Sequence, residues 1–146
     1  MKLVQLIYIS TATQQHDEVA LKDIMESASQ KNEPESVTGM LLYCDGNFMQ
    51  VLEGESEAVE ATYSRISRDL RHKDIIEVLR QPVTQRSFGH WSMGFRAIRP
   101  SELLSRPAYA PFFDGGFVAA NLGAQPSLAL EMLQDFGLSD REIRLS

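Results

Sequence analysis

The chain has 146 residues, 43% of them hydrophobic, and a formal net charge of -6. That is the size of one domain with a real core, so disorder is not the default, and an acidic chain repels phosphate backbones, which argues against non-specific nucleic-acid binding. Cys44 is the single cysteine, so no disulfide can form within the chain, and a reducing, cytoplasmic setting is favoured.

The apolar run at the N-terminus is short, is broken by Gln5, and has no small-residue cleavage site after it. It reads as a strand over residues 2–9 rather than a signal peptide. Val4, Leu6 and Tyr8 would share one face of it, and Leu3, Gln5 and Ile7 the other. A helix is expected from Glu18 to Lys31, with Leu21, Ile24, Met25 and Ala28 as its apolar stripe. Asn32 falls at its end, because Pro34 cannot continue it. Val37 to Tyr43 reads as a second strand and Asn47 to Glu53 as a third, joined by Asp45-Gly46, a strong hairpin signal. On the third strand Phe48, Gln50 and Leu52 share a face, and Gly54 is expected to end it.

A second helix is expected over Ser56 to Leu70, with Val59, Thr62, Tyr63, Ile66 and Leu70 facing inward. Arg65 and Asp69, four apart, would form a surface pair on it, and Arg71-His72 would close it. Ile75 to Leu79 reads as a fourth strand and 88–98 as a fifth, with Trp91, Met93 and Phe95 on one face. Beyond Pro100 prolines and glycines accumulate, and Ser127 to Phe136 reads as a helix closed by Gly137. No stretch approaches the roughly 18 apolar residues of a membrane span.

This order predicts an α+β fold. It is a ferredoxin-like five-stranded sheet with two helices on one face, plus a C-terminal helical appendage. The division expected is a domain over residues 1–97 and a helical extension over 98–146. Right-handed crossover places the first and third strands side by side, so Tyr8 and Gln50 come from neighbouring strands.

Gln50 is the unusual residue, a buried amide between Phe48 and Leu52. Left unpaired it would cost about 1–3 kcal/mol, so it needs partners, and Tyr8 is one candidate. A satisfied core amide or an exposure at the sheet edge is the plainer alternative. Tyr8 could equally be structural, Asn32 a helix cap, and Trp91 and Met93 core. The histidines His16, His72 and His90 are scattered, so no metal site is expected. No phosphate loop, dinucleotide fingerprint or nucleophile elbow is present. Cys44 reads as a buried small hydrophobe.

The matching stretches that follow cover most of residues 1–97. They are Leu6-Ile7-Tyr8-Ile9-Ser10, Asn32, Val37-Thr38-Gly39-Met40-Leu41-Leu42-Tyr43, and Asp45-Gly46-Asn47-Phe48-Met49-Gln50-Val51-Leu52-Glu53-Gly54. Arg71-His72, Pro82-Val83, Arg86-Ser87-Phe88 and Trp91-Ser92-Met93-Gly94-Phe95 complete the set. Together and in this order they resemble the BLUF family of blue-light sensors using FAD, in its short stand-alone form.

The resemblance implies a photoreceptor rather than an enzyme, holding oxidised FAD, with FMN as the alternative, non-covalently between the two helices. It implies that Tyr8 is the electron donor and Gln50 the amide between tyrosine and flavin. Asn32, Ser10, Phe48, Arg65, Ile66, Asp69 and His72 would contact the cofactor, and Trp91 and Met93 would relay the signal. A homo-oligomer and a downstream protein partner are expected, with no nucleic acid and no membrane. Two rivals remain at this level: a flavin-dependent oxidoreductase, which NADH would bleach in the dark, and a ferredoxin-like binding module without flavin.

Overall fold

The computed structural model describes residues 2–13, 18–89, 93–107, 126–139 and 144–145. Its elements run β1 Leu3–Ala12, α1 Glu18–Asn32, β2 Thr38–Cys44, β3 Asn47–Glu55, α2 Ser56–Ser67, β4 His72–Val83, β5 Met93–Ala97, α3 Pro100–Leu104, α4 Pro126–Ser139 and β6 Arg144–Leu145. The sheet order is β4-β1-β3-β2-β5-β6. β3 lies antiparallel between β1 and β2, and β5 runs parallel to β2, so the sheet is mixed. This is the expected ferredoxin-like arrangement, with the two-residue β6 added at one edge.

Local chemistry explains the turns and interruptions. Asp45 and Gly46 both have positive φ, 50° and 79°, which the tight β2–β3 turn requires. β4 is the outermost strand and tolerates Pro82, whose missing N–H would break a central ladder. Its register against β1 slips between Ile7 and Tyr8 and again between Ile9 and Thr11. A bulge therefore sits beside Tyr8, where it re-aims neighbouring side chains.

Two cores form, one on each side of the sheet. On one side Val4, Leu6, Tyr8, Leu41, Phe48 and Leu52 pack with Leu21 of α1 and Val59 of α2. Ile24, Ala28, Tyr63 and Ile66 close over them. On the other side Ile7, Ile9, Met40, Leu42, Cys44, Met49 and Val51 pack under Leu128, Ala129, Met132, Leu133 and Phe136 of α4. The arginine pair Arg96 and Arg106 lies over the Phe136 ring, 5.4 and 4.2 Å from its centre. β1 is consequently buried on both faces.

Several expected boundaries move. α2 stops at Ser67 rather than Leu70, because the Arg68 and Asp69 amides turn back to the carbonyls of Arg65 and Ile66. Leu70, expected to face inward, is 88% exposed. β3 runs through Gly54 instead of ending there. A side chain at Gly54 would sit 3.2 Å from the Ser36 carbonyl oxygen, so glycine allows that close approach. β4 is longer than expected and begins at His72, and α4 continues past Gly137. The side chain of Met25 lies outside the described residues. Among them, no helix is long and apolar enough to cross a membrane.

Candidate functional site

Alternation along β1 and β3 points Tyr8 and Gln50 to the helix side, and their backbones stand directly opposite in the β1–β3 register. Both are buried, each 3% exposed. The Tyr8 hydroxyl donates a hydrogen bond to the Gln50 side-chain carbonyl. Burial raises the Tyr8 pKa well above that of free tyrosine, and the charges of Tyr63 and Asp69 push the same way. The phenol therefore keeps its proton throughout the physiological range.

Above this pair a cleft opens between α1 and α2. It holds about 650 Å³ of space, the open solvent at its mouth included. Ile24, Ser27, Ala28, Lys31 and Asn32 line it from α1, and Arg65 and Ile66 from α2. Tyr8, Leu41, Phe48, Gln50 and His72 line it from the sheet, and Asp69 and Arg71 from the turn between α2 and β4.

Asn32 is 1% exposed at the end of α1. Its backbone carbonyl accepts from the amides of Glu35 and Val37, and its side-chain oxygen accepts from Arg65 Nη2 at 3.3 Å. The turn after α1 thus holds the Asn32 amide in the cleft wall. His72 links β1 to α2, with Nε2 2.7 Å from the Ile66 carbonyl and Nδ1 2.7 Å from Ser10 Oγ. A carbonyl can only accept, so Nε2 carries a proton. In the neutral ring Nδ1 then accepts from the Ser10 hydroxyl. Phe48 stands edge-on to that imidazole at 85°, and Tyr8 at 62°.

Two expectations on α2 are corrected. Arg65 and Asp69 form no surface pair, because the helix has ended before Asp69. Arg65 turns to Asn32 instead, and Asp69 accepts from the backbone N–H and the guanidinium of Arg71. That bonding holds the Asp69 carboxyl down to about 2. His72 does not close α2 but opens β4.

Tyr8, Gln50, Asn32, Phe48, Arg65, Ile66, Asp69 and His72 thus gather around one cleft, with Ser10 just behind His72. Trp91 lies outside the described residues, and Met93 is described only as the first residue of β5. Ser27, Lys31 and Arg71 are cleft-lining residues that the sequence reading did not name as ligands. The signal for the first two was available: 24, 27, 28 and 31 is helical spacing, so the apolar stripe of α1 continues into a polar end.

The donor set fits a flavin. Ile24, Ala28, Leu41, Phe48 and Ile66 offer apolar walls to a flat ring. The amides of Gln50 and Asn32 can meet alternating carbonyl and N–H groups at a pyrimidine edge, and the cations Lys31 and Arg71 suit an anionic tail.

Comparisons with known proteins bear on the family and the fold. A family model, BLUF, described as sensors of blue-light using FAD, matches residues 3–94. The alpha subunit of a photoactivated adenylate cyclase from Euglena gracilis is 40% identical over 88 residues. The beta subunit of the Euglena longa enzyme is 38% identical over 92 residues. These matches cover 60% and 62% of this chain but span only 9% and 11% of those relatives' own lengths. Among solved structures, BlrB, a BLUF protein in its dark state, superposes with a TM-score of 0.70 at 29% identity, covering 95% of this chain and 98% of BlrB. BlsA in its ground state gives 0.75 at 26% identity, covering 96% and 90%.

Proposed function

The chain belongs to the BLUF family, sensors of blue light using FAD, and from that premise we propose that it is a blue-light receptor holding oxidised FAD non-covalently between α1 and α2. The observation that carries this reading is the hydrogen bond from the buried Tyr8 phenol to Gln50 at the floor of the cleft. Asn32, Ser10, Phe48, Arg65, Ile66, Asp69 and His72 would hold the cofactor directly or through the contacts described.

When bound, the flavin supplies the chromophore and, once excited, the oxidant. Tyr8 loses an electron. A cationic phenol in apolar surroundings is costly, so the proton leaves with it along the hydrogen bond to Gln50 Oε1. Gln50 can take a proton at Oε1 and release one from Nε2. Return of the electron and proton to Tyr8 leaves Gln50 rotated or as its imidic tautomer, with its hydrogen bonds redistributed. No substrate is consumed.

One rearranged hydrogen bond is worth about 1 kcal/mol net, enough to shift an equilibrium severalfold. The shift would pass through β5, by way of Trp91 and Met93, into residues 98–146. A subunit interface or a cytoplasmic partner protein would read it there. Support for this route comes from the two-sided sheet, whose far face carries α4.

The test is the visible spectrum of dark-purified protein before and after blue light, with Tyr8→Phe alongside. A flavin spectrum that shifts slightly to the red, relaxes in the dark and stays fixed in Tyr8→Phe is expected. A bound flavin that never shifts overturns the photocycle. Extraction of FMN rather than FAD would overturn the cofactor assignment. Identical particle size and partner binding in dark and light would overturn the output route.

A further inference from the structure

We propose that Tyr63 is a second redox-active tyrosine, one that refills oxidised Tyr8 and carries the oxidising equivalent to the protein surface. This rests on the photochemistry assigned above to Tyr8. Tyr63 is not among the residues lining the cleft. It sits on α2, and its ring packs on the Tyr8 ring with centroids 5.6 Å apart and planes at 47°. Rings at that separation nearly touch, so an electron can pass between them directly. The two phenols differ in access. Tyr8 is sealed in the core, whereas Tyr63 is only half-buried.

The surroundings of Tyr63 suit the role. Burial first, then Glu77 and Glu60, keep its hydroxyl protonated, while the exposed Arg80, bonded to both carboxylates, acts the other way. A half-exposed phenol also has water to accept its proton, which Tyr8 does not.

The step balances. Neutral oxidised Tyr8, its proton on Gln50, takes one electron from Tyr63 and regains the proton from Gln50. Tyr63 gives up that electron and releases its own phenolic proton to water. The electron first removed from Tyr8 stays on the flavin, whose excited state was used up in taking it. Release of a proton to bulk water at neutral pH favours the transfer, because the two side chains are otherwise the same phenol. The branch competes with direct return of the electron to Tyr8.

The test uses flavin-loaded protein frozen during and after blue illumination, with tyrosyl radicals read by electron paramagnetic resonance. Wild type, Tyr63→Phe and Tyr8→Phe are compared. Wild type is expected to hold a tyrosyl radical that outlives the flash. Tyr63→Phe, which keeps the packed ring, is expected to lose that long-lived radical while a larger fraction of molecules shows the red shift. Tyr8→Phe should lose both signals. No long-lived radical in wild type, or an equal one in Tyr63→Phe, overturns the relay. Retention of the red shift in Tyr8→Phe would instead sink the Tyr8 photochemistry, and the relay with it.

Discussion

Tyr8 keeps its proton because its phenolate would have to exist among Leu6, Leu41, Phe48 and Leu52. That preference ties the residue to stability as well as to electron donation. In the unfolded chain tyrosine ionises near pH 10, while the folded phenol stays protonated. Above about pH 10 the unfolded state therefore binds fewer protons than the folded one, and stability falls as pH rises. Tyr8→Phe removes this site. Urea unfolding at pH 8 and pH 11 should show a smaller alkaline loss in Tyr8→Phe than in wild type; equal losses would mean that Tyr8 ionises readily when folded. Tyr63, also held above its ordinary value by burial, is common to both proteins and cancels in the comparison.

At the scale of the element, β3 presents different chemistry on its two faces. Gln50 points to the cleft and Glu53 to the opposite side. The Glu53 carboxylate is fully buried and accepts from Gln5 Nε2 at 2.8 Å, the Phe88 amide at 2.7 Å and the Ser87 amide at 3.0 Å. Arg86 adds bonds to the Glu53 carbonyl and to Thr38. β3 thereby holds residues 86–88, which lead toward β5. Glu53→Ala leaves three donors without their acceptor, at about 1–3 kcal/mol for each that water cannot reach. A loss of at least ~3 kcal/mol in denaturant unfolding is expected, with faster hydrogen exchange at Ser87 and Phe88. Unchanged exchange at those amides would show that Glu53 does not hold the segment.

Across the whole molecule the sheet is a partition between two cores, with the cleft on one side and α4 on the other. Phe136 is fully buried at the centre of the far side. Phe136→Ala should cost about 3–5 kcal/mol, as large aromatic truncations in cores do. Urea midpoints measure this. A cost below about 1 kcal/mol would mean that α4 adds little to the fold and that the far face is held by the sheet alone.

Strand alternation, the Asp45-Gly46 turn and the helical stripes are local properties, so the amino-acid sequence by itself determined the order of the elements from β1 to β5, the helix-facing side of β1 and β3, and the pairing of Tyr8 with Gln50 as neighbours, but not α3 or β6. Local patterns failed where a contact far along the chain decided the outcome. Arg68 to Arg71 is as helix-compatible as the residues before it, yet α2 ends at Ser67, and His72 becomes the first residue of β4. Gln5 looked like an interruption and Glu53 like a strand end, but they bond each other across 48 positions beneath the sheet. Arg65 reaches Asn32 across 33 positions instead of Asp69 across four. Tertiary structure alone decides such pairings: a buried polar group takes the partner that the assembled fold brings within reach, and sequence spacing does not record that distance.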